Sequence, residues 1–338
     1  MQKDEEPPRM ASVLLHPSAS TPQARLAPEE RRQAFVAELD RLEGAFLAGE
    51  NPYQLAGEVY ETAWRFVPEG NPQAIAELRE LAAGHRIQTF LRQCPLTRLA
   101  QDGGRDPYGV PDIIDALQRP AERHAMLAAA SPIGQAILLR LLDTPGAAAL
   151  RARRSLIATH IAAMAREIDG ARILSVGCGY AGELDLVPED VRARIRAFVG
   201  VDTSATALAM AAQQEIGSGP ITTKHVSPQK LGDDPELSGF DLIYSTGLCT
   251  YLPDRACRQL TRDLFRRLAP GGQLLIGNVL PGEPGLGYRE VFMRWSMNAR
   301  DREQILDFAR GIARADIARE DVLIEPNGCI GLLELVRA

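Results

Sequence analysis

Glycines at 177, 179 and 182 punctuate the stretch Ile173-Leu-Ser-Val-Gly-Cys-Gly-Tyr-Ala-Gly182, directly after an apolar run. Glycine lets the backbone turn sharply and lets a ligand approach the main chain with no Cβ in the way. The N–H groups of such a turn, at the start of a helix, suit an anionic group. A second apolar run, Phe198-Val-Gly-Val201, ends at Asp202. An acidic residue about 20 or more positions past a Gly-rich turn is the arrangement that holds a pair of ribose hydroxyls. Glycine turn and acid together predict a nucleoside site. A plain helix cap is the other role open to Asp202, although Thr203 and Ser204 can already cap.

The elements that position these residues follow from periodicity. Short apolar strands at 172–176, 198–201, 221–225, 241–245 and 273–277 alternate with helices at about 205–215 and, after Asp254 as cap, 254–268. That alternation predicts βαβ units and a parallel sheet. Pro270-Gly271-Gly272 reads as a helix stop before the fifth strand. Val322-Leu-Ile-Glu-Pro and Cys329–Val336 flank Asn327-Gly328, a hairpin signal. Ligands bind outside the carboxyl ends of such strands, which adds Ser245, Thr246 and Gly247 to the site. Upstream, Phe35, Leu39, Leu42 and Phe46 mark one helix face, and further helical runs cover about 53–66, 73–91, 133–143 and 147–168. The chain therefore divides into a mobile tail (1–28), a helical cap or substrate domain (29–167) and a nucleoside-binding α/β domain (168–338). The Gly/Pro/Asp-rich stretch Gln101–Pro111 is a connector or a lid.

Composition narrows the class. The 338 residues carry a net charge of −6, which argues against a nucleic-acid partner. Arg151, Arg153 and Arg154 cluster all the same, as a solvated helix face or an anion clamp. Five cysteines form no CxxC pair, and no His spacing suggests a metal, so no metal is expected and a reducing cytoplasm is the simplest setting. No apolar run suits a signal peptide or a membrane span. A small-molecule substrate is expected, and a homodimer is open to such a chain.

The runs Ile173–Gly179, Val199–Asp202, Phe240-Asp-Leu-Ile-Tyr-Ser245 and Leu268-Ala-Pro-Gly-Gly-Gln-Leu-Leu275 resemble, in order and spacing, the class I S-adenosylmethionine (SAM)-dependent methyltransferases. The resemblance covers about 170–338 and implies a Rossmann-like sheet, parallel with a C-terminal antiparallel hairpin, behind an all-helical N-terminal domain. Cys94-Pro-Leu-Thr-Arg98, Ala148–Arg154, Gly247–Asp254 and Gly287–Trp295 further resemble the bacterial group around the 3-hydroxypalmitic acid methyl ester synthases, with Cys249-Thr250 where that group often carries Tyr-Asp. Membership would imply methylation of an acyl carboxylate.

The resemblance assigns SAM as cofactor. It implies contacts from Ser175, Gly177, Cys178, Gly179, Gly182, Asp202, Thr203, Ser227, Ser245, Thr246 and Gly247. Ser175 stands where many relatives carry an acid that steers the SAM ammonium. His225, Ser227 and Gln229 fall near the expected adenine edge. Aromatic faces attract a sulfonium, so Tyr180 and Tyr251 are the catalytic candidates, each with packing as the alternative. Tyr244 points toward the core, and Tyr288 and Trp295 sit in an insertion that often supplies acceptor contacts. Asp301 and Gln304 form a capping box.

Three activities fit. A methyltransferase would act on a small molecule, as in O-methylation of an acyl or hydroxy-acid carboxylate. A SAM cyclase would form azetidine-2-carboxylate and methylthioadenosine by attack of the SAM amine on its γ-carbon. A regulatory module would bind SAM without turning it over.

Overall fold

The computed structural model describes residues 21–68, 71–103, 111–120, 124–227, 230–231 and 237–338. Nine helices are described before the first strand: α1 (Pro28–Leu47), α2 (Pro52–Phe66), α3 (Pro72–Gly84), α4 (Gln88–Leu91), α5 (Pro95–Asp102), α6 (Pro111–Gln118), α7 (His124–Ala128), α8 (Pro132–Leu142) and α9 (Pro145–Glu167). Proline opens α1, α2, α3, α5, α8 and α9, where its fixed φ suits the first turn and its missing N–H costs nothing. Asn51, Asn71, Ser131 and Thr144 cap their helices through side-chain oxygens.

Phe35, Leu39, Leu42 and Phe46 are buried, as their spacing predicts. The run predicted over 73–91 breaks at His85, whose Nδ1 accepts the Ile87 N–H at 3.1 Å and so diverts a donor from the helix. Of the predicted tail, residues 1–20 lie outside the described residues. Residues 21–27 pack instead: Ala24 is buried, and Arg31 donates to the carbonyls of Ala24 and Leu26.

The α/β part is a seven-stranded sheet of order β5-β2-β1-β6-β7-β9-β8. Its strands are β1 (Ala171–Val176), β2 (Ile195–Asp202), β5 (Thr222–His225), β6 (Phe240–Ser245), β7 (Leu268–Val279), β8 (Ile317–Ile324) and β9 (Ile330–Arg337). A separate two-stranded ribbon joins β3 (Glu215–Ile216) to β4 (Gly219–Pro220). Five sheet strands run parallel and β9 and β8 close the edge antiparallel. The near-continuous apolar run of β1 reflects burial on both faces.

Between strands lie α10 (Glu189–Arg192), α11 (Ala205–Ala211), α12 (Asp254–Phe265), α13 (Gly285–Val291) and α14 (Arg302–Leu306). Ser204 caps α11, which ends at Ala211 because the β3–β4 ribbon begins soon after. Pro253 occupies the cap position of α12, and Asp254 pairs with Arg300 instead. Pro270–Gly272 lies inside β7, with Gly271 at φ +75° and a register shift opposite Phe240/Leu242, so it forms an irregularity in a long strand. Asp301 and Gln304 form the expected capping box on α14. The insertion after β7 joins the helical core: Tyr288, Val291, Phe292, Met293 and Trp295 pack with the side chains of α1–α3 and α8.

Candidate functional site

β1 delivers the chain into the glycine turn. The N–H groups of Gly177 and Cys178 both donate to Val201 O, at 2.8 and 3.1 Å, tying the turn to β2. Gly177 and Gly179 adopt φ +70° and +52°, conformations that side chains disfavour. A Cβ on Gly179 would meet nothing within 4 Å, so it would project into the open space the turn surrounds. Asp202, at the end of β2, is buried. Its Oδ2 accepts the Gly179 N–H and its Oδ1 the Ser204 N–H, each at 2.9 Å.

The turn opens on a cavity of about 1290 Å³, counting its mouth. Gly177, Gly179, Tyr180, Gly182, Asp202 and Thr203 form one wall. The loop after β6 forms a second, with Thr246, Gly247, Leu248, Thr250 and Tyr251. Ile114, Asp115, Leu117 and Gln118 of α6 cover them, and Gly146, Leu150 and Arg153 of α9 close the side. The far end is built by Val279, Glu283, Arg289, Trp295, Met297, Cys329 and Ile330.

Several expected residues do not line this cavity. Ser175 is buried against the Tyr244 hydroxyl, because strand alternation turns it into the sheet core. Cys178 points back at Gly200, where a Cβ would come within 3.0 Å of its sulfur, and burial holds its thiol well above the usual range. Ser245 is fully buried, and its Oγ has no hydrogen-bond partner among the described residues. Ser227 lies outside the lining, and Gln229 outside the described residues. His225 binds Thr203 O through Nε2 at 2.8 Å. Tyr288 is a core residue whose hydroxyl meets Thr97 Oγ1 at 3.0 Å.

Both catalytic candidates do reach the cavity. Tyr180 hydrogen-bonds Asp112 of α6 and carries the Arg119 guanidinium 5.9 Å from its ring centre. The Tyr251 hydroxyl accepts from Trp295 Nε1 at 3.0 Å.

The arginine cluster divides by direction. Arg151 donates to the carbonyls of Leu117 and Leu142, and Arg154 to Gly182 O and Asp185. Arg153 is buried and faces the cavity. Its Nη1 donates to Thr246 O at 2.9 Å, and no carboxylate pairs with it among the described residues. Burial lowers its pKa, while Glu183 and Tyr251 favour the charged form.

Glu183 hydrogen-bonds the Tyr244 hydroxyl, and burial raises its carboxyl above the usual range. At the far end Arg289 is compensated by Glu283, which also accepts from Gly285 N at 2.8 Å and Tyr60 Oη at 3.3 Å. Cys329 is pushed up to about 12 by burial. Sequence flagged the arginine cluster without saying which arginine faces inward, and it left Glu183, Glu283 and Arg289 unmarked.

One group of metal-capable side chains occurs among the described residues, Asp40, Glu43 and His85, away from the cavity. Its groups are already engaged. Arg86 pairs with Glu43, and His85 Nδ1 accepts a backbone N–H, which leaves Nε2 as the donor to Asp40.

Residues 174–274 match the family model described as "Methyltransferase domain". That match runs from β1 into β7 of the α/β part, so this part of the chain is similar to methyltransferase domains. Phosphoethanolamine N-methyltransferase of Triticum aestivum is 25% identical over 154 residues, 45% of this chain and 29% of that protein. The chain thus spans less than a third of the length of the curated relatives it matches. Among solved structures, a possible exported protein from Bordetella parapertussis is similar over 94% of this chain and 99% of that one, with 18% identity and a TM-score of 0.49. Magnesium protoporphyrin IX methyltransferase from Synechocystis, solved with bound SAM, covers 72% of this chain and 97% of its own at 13% identity and a TM-score of 0.42. No described helix is long and apolar enough to cross a membrane.

Proposed function

We propose that the protein is a SAM-dependent methyltransferase that esterifies the carboxylate of a small acid with an apolar body. Arg153 carries this reading: a buried guanidinium, with no carboxylate paired to it among the described residues, faces the cavity beyond the glycine turn. A buried cation is costly unless paired, and an acceptor carboxylate would pair it. Ile114, Leu117, Leu150, Val279 and Ile330 supply an apolar lining for the rest of such a molecule.

The residues present fit the cofactor. The Gly177–Gly182 turn leaves room where a side chain would intrude, and Asp202 offers carboxylate oxygens to a sugar. SAM supplies an electrophilic methyl on a sulfonium. The chain's own task is to align the acceptor oxygen and to exclude water. Arg153 holds the carboxylate, and α6 covers the turn. Tyr180 and Tyr251 offer aromatic faces to a cation. A carboxylate is ionised at neutral pH and needs no base, whereas an amine or phenol acceptor would. No histidine is among the described residues lining the cavity, the lining carboxylates Asp115 and Glu283 are paired with Arg119 and Arg289, and burial keeps the Cys329 thiol protonated.

The test is product analysis by chromatography. Purified protein is incubated with SAM alone, with medium-chain and long-chain fatty and hydroxy acids, and with the matching alcohols and amines. S-adenosylhomocysteine and a methyl ester appearing only with the acids are expected. Methylthioadenosine from SAM alone would replace this reading by cyclisation, and turnover of amines but not acids would overturn it. Arg153→Met is expected to lose about 1.5–3 kcal/mol of acceptor recognition, roughly 10- to 100-fold in kcat/KM, with SAM affinity retained.

A further inference from the structure

Thr250 and Tyr251, read as the acceptor side because they follow Thr246, the partner of Arg153, are held by a segment of chain that contributes Trp295 and Met297 to the cavity. Thr250 and Tyr251 belong to a single 3₁₀ turn, Leu248–Tyr251, between β6 and α12. The connector leaving α13 binds three polar groups of that turn and the carbonyl of Leu252 that follows it. Trp295 Nε1 donates to the Tyr251 hydroxyl, and Asn298 N donates to Thr250 O at 2.8 Å. Asn298 Nδ2 reaches Leu252 O at 3.2 Å.

At the end of the connector, the Arg300 guanidinium is 5% exposed and ties the turn to the residues that flank it. Nη1 donates to Cys249 O at 2.7 Å and to Asn278 Oδ1 at 3.0 Å, Nη2 to Leu252 O at 2.6 Å, and Nε to Asp254 Oδ1 at 2.9 Å. Its own N–H donates to Val279 O, and Asn278 Nδ2 donates to Asn298 O at 2.8 Å, so turn, connector and the end of β7 form one network. The connector enters this network from the helical core, where Phe292, Met293 and Trp295 are packed.

We propose that Arg300 is the positioning residue of the acceptor wall: it fixes Thr250 and Tyr251, and through them couples the packing of the insertion to the reacting end of the cavity. Arg300 is not among the residues lining the cavity, so it acts through the turn. Arginine suits this task because its planar fork can serve two carbonyls, an amide oxygen and a carboxylate at once, whereas a lysine ammonium cannot reach all four. The inference rests on the reading of Thr250 and Tyr251 as the acceptor side, and its test does not require the acceptor to be known.

The chain has two tryptophans, Trp64 and Trp295. In a Trp64→Phe background, emission reports Trp295 alone, and Tyr251→Phe defines the signature of the lost indole–hydroxyl bond. Arg300→Lys is expected to reproduce that signature while SAM affinity, measured by calorimetry, stays within about twofold. With an acceptor in hand, the same variant is expected to lower kcat/KM for the acceptor at least tenfold. Asn298→Ala, at an exposed position, removes one bond to the same turn and is expected to shift emission in the same direction by less, should Arg300→Lys fail to fold. Emission unchanged in a folded Arg300→Lys protein overturns the proposal, as does a parallel loss of SAM affinity, which marks a merely structural role. Failure of carboxylate methylation with the emission result intact overturns the substrate reading alone.

Discussion

The main-chain N–H of Gly179 donates to Oδ2 of Asp202 at 2.9 Å, so the glycine turn and the end of β2 are one unit. The same carboxylate accepts from Ser204 N, which orients it before any ligand arrives. Preorganisation of this kind lowers the cost of binding. Asp202→Ala removes both bonds and the candidate ribose acceptor. It is expected to weaken SAM binding by about 1–3 kcal/mol. Asp202→Asn, with one accepting oxygen, is expected to fall between the variant and the wild type. Calorimetric titration decides, and an unchanged affinity in Asp202→Ala contradicts the ribose assignment.

A second expectation concerns Gly277 in β7. A Cβ there would stand 2.4 Å from Thr246 O and 2.8 Å from Thr246 Cα. Backbone cannot yield as a side chain does, so Gly277→Ala is expected to cost about 1–3 kcal/mol by overpacking. Thr246 O is also the acceptor of Arg153, so the variant should lose acceptor recognition as well. Gly44, inside α1, has nothing within 4 Å of its would-be Cβ. Gly44→Ala is expected to stabilise by about 0.5–1 kcal/mol through helix propensity. Urea midpoints with opposite signs for the two alanines test the contrast.

The sheet and the glycine turn were legible because their signals are local. Apolar runs, a change of period and a Gly-rich bend each sit within a few residues. Contacts of long sequence separation were not legible. Arg151, Arg153 and Arg154 look alike in sequence, yet only Arg153 has the cavity on its side of α9. Tyr288 read as a contact on the acceptor side, but α13 docks against α2 and α3 and buries it beside Thr97. Ser175 and Ser245 belong to strands whose alternation decides inward or outward, and both point away from the cavity. The acid missing at 175 has a neighbour in space: Glu183 and Ser175 both meet the hydroxyl of Tyr244.

Tyr180 supplies a third expectation. Its hydroxyl donates to Asp112 and so pins the first turn of α6 to the glycine turn. Tyr180→Phe keeps the ring and removes the donor. The variant is expected to lose about 1–2 kcal/mol of local stability in α6, seen as faster amide exchange across 111–118. Equal exchange in both proteins would show that the hydroxyl does not hold the helix down.

The last expectation follows from Glu183. Burial raises its carboxyl pKa, and the Tyr244 hydroxyl with Arg153 and Arg154 offsets this only in part. A folded-state pKa above the unfolded one means that folding favours the protonated acid. That contribution is present in full below the unfolded pKa, and it is lost as pH rises through the folded pKa. Glutamine has no such dependence and can still accept the Tyr244 hydrogen bond. The melting temperature of Glu183→Gln minus that of the wild type is therefore expected to grow between about pH 4 and about pH 8. A difference that shrinks over that range would mean that Arg153 and Arg154 outweigh the burial. Glu183 would then be a charged partner of Arg153, and the case for Arg153 as an uncompensated cation awaiting an acid would weaken with it.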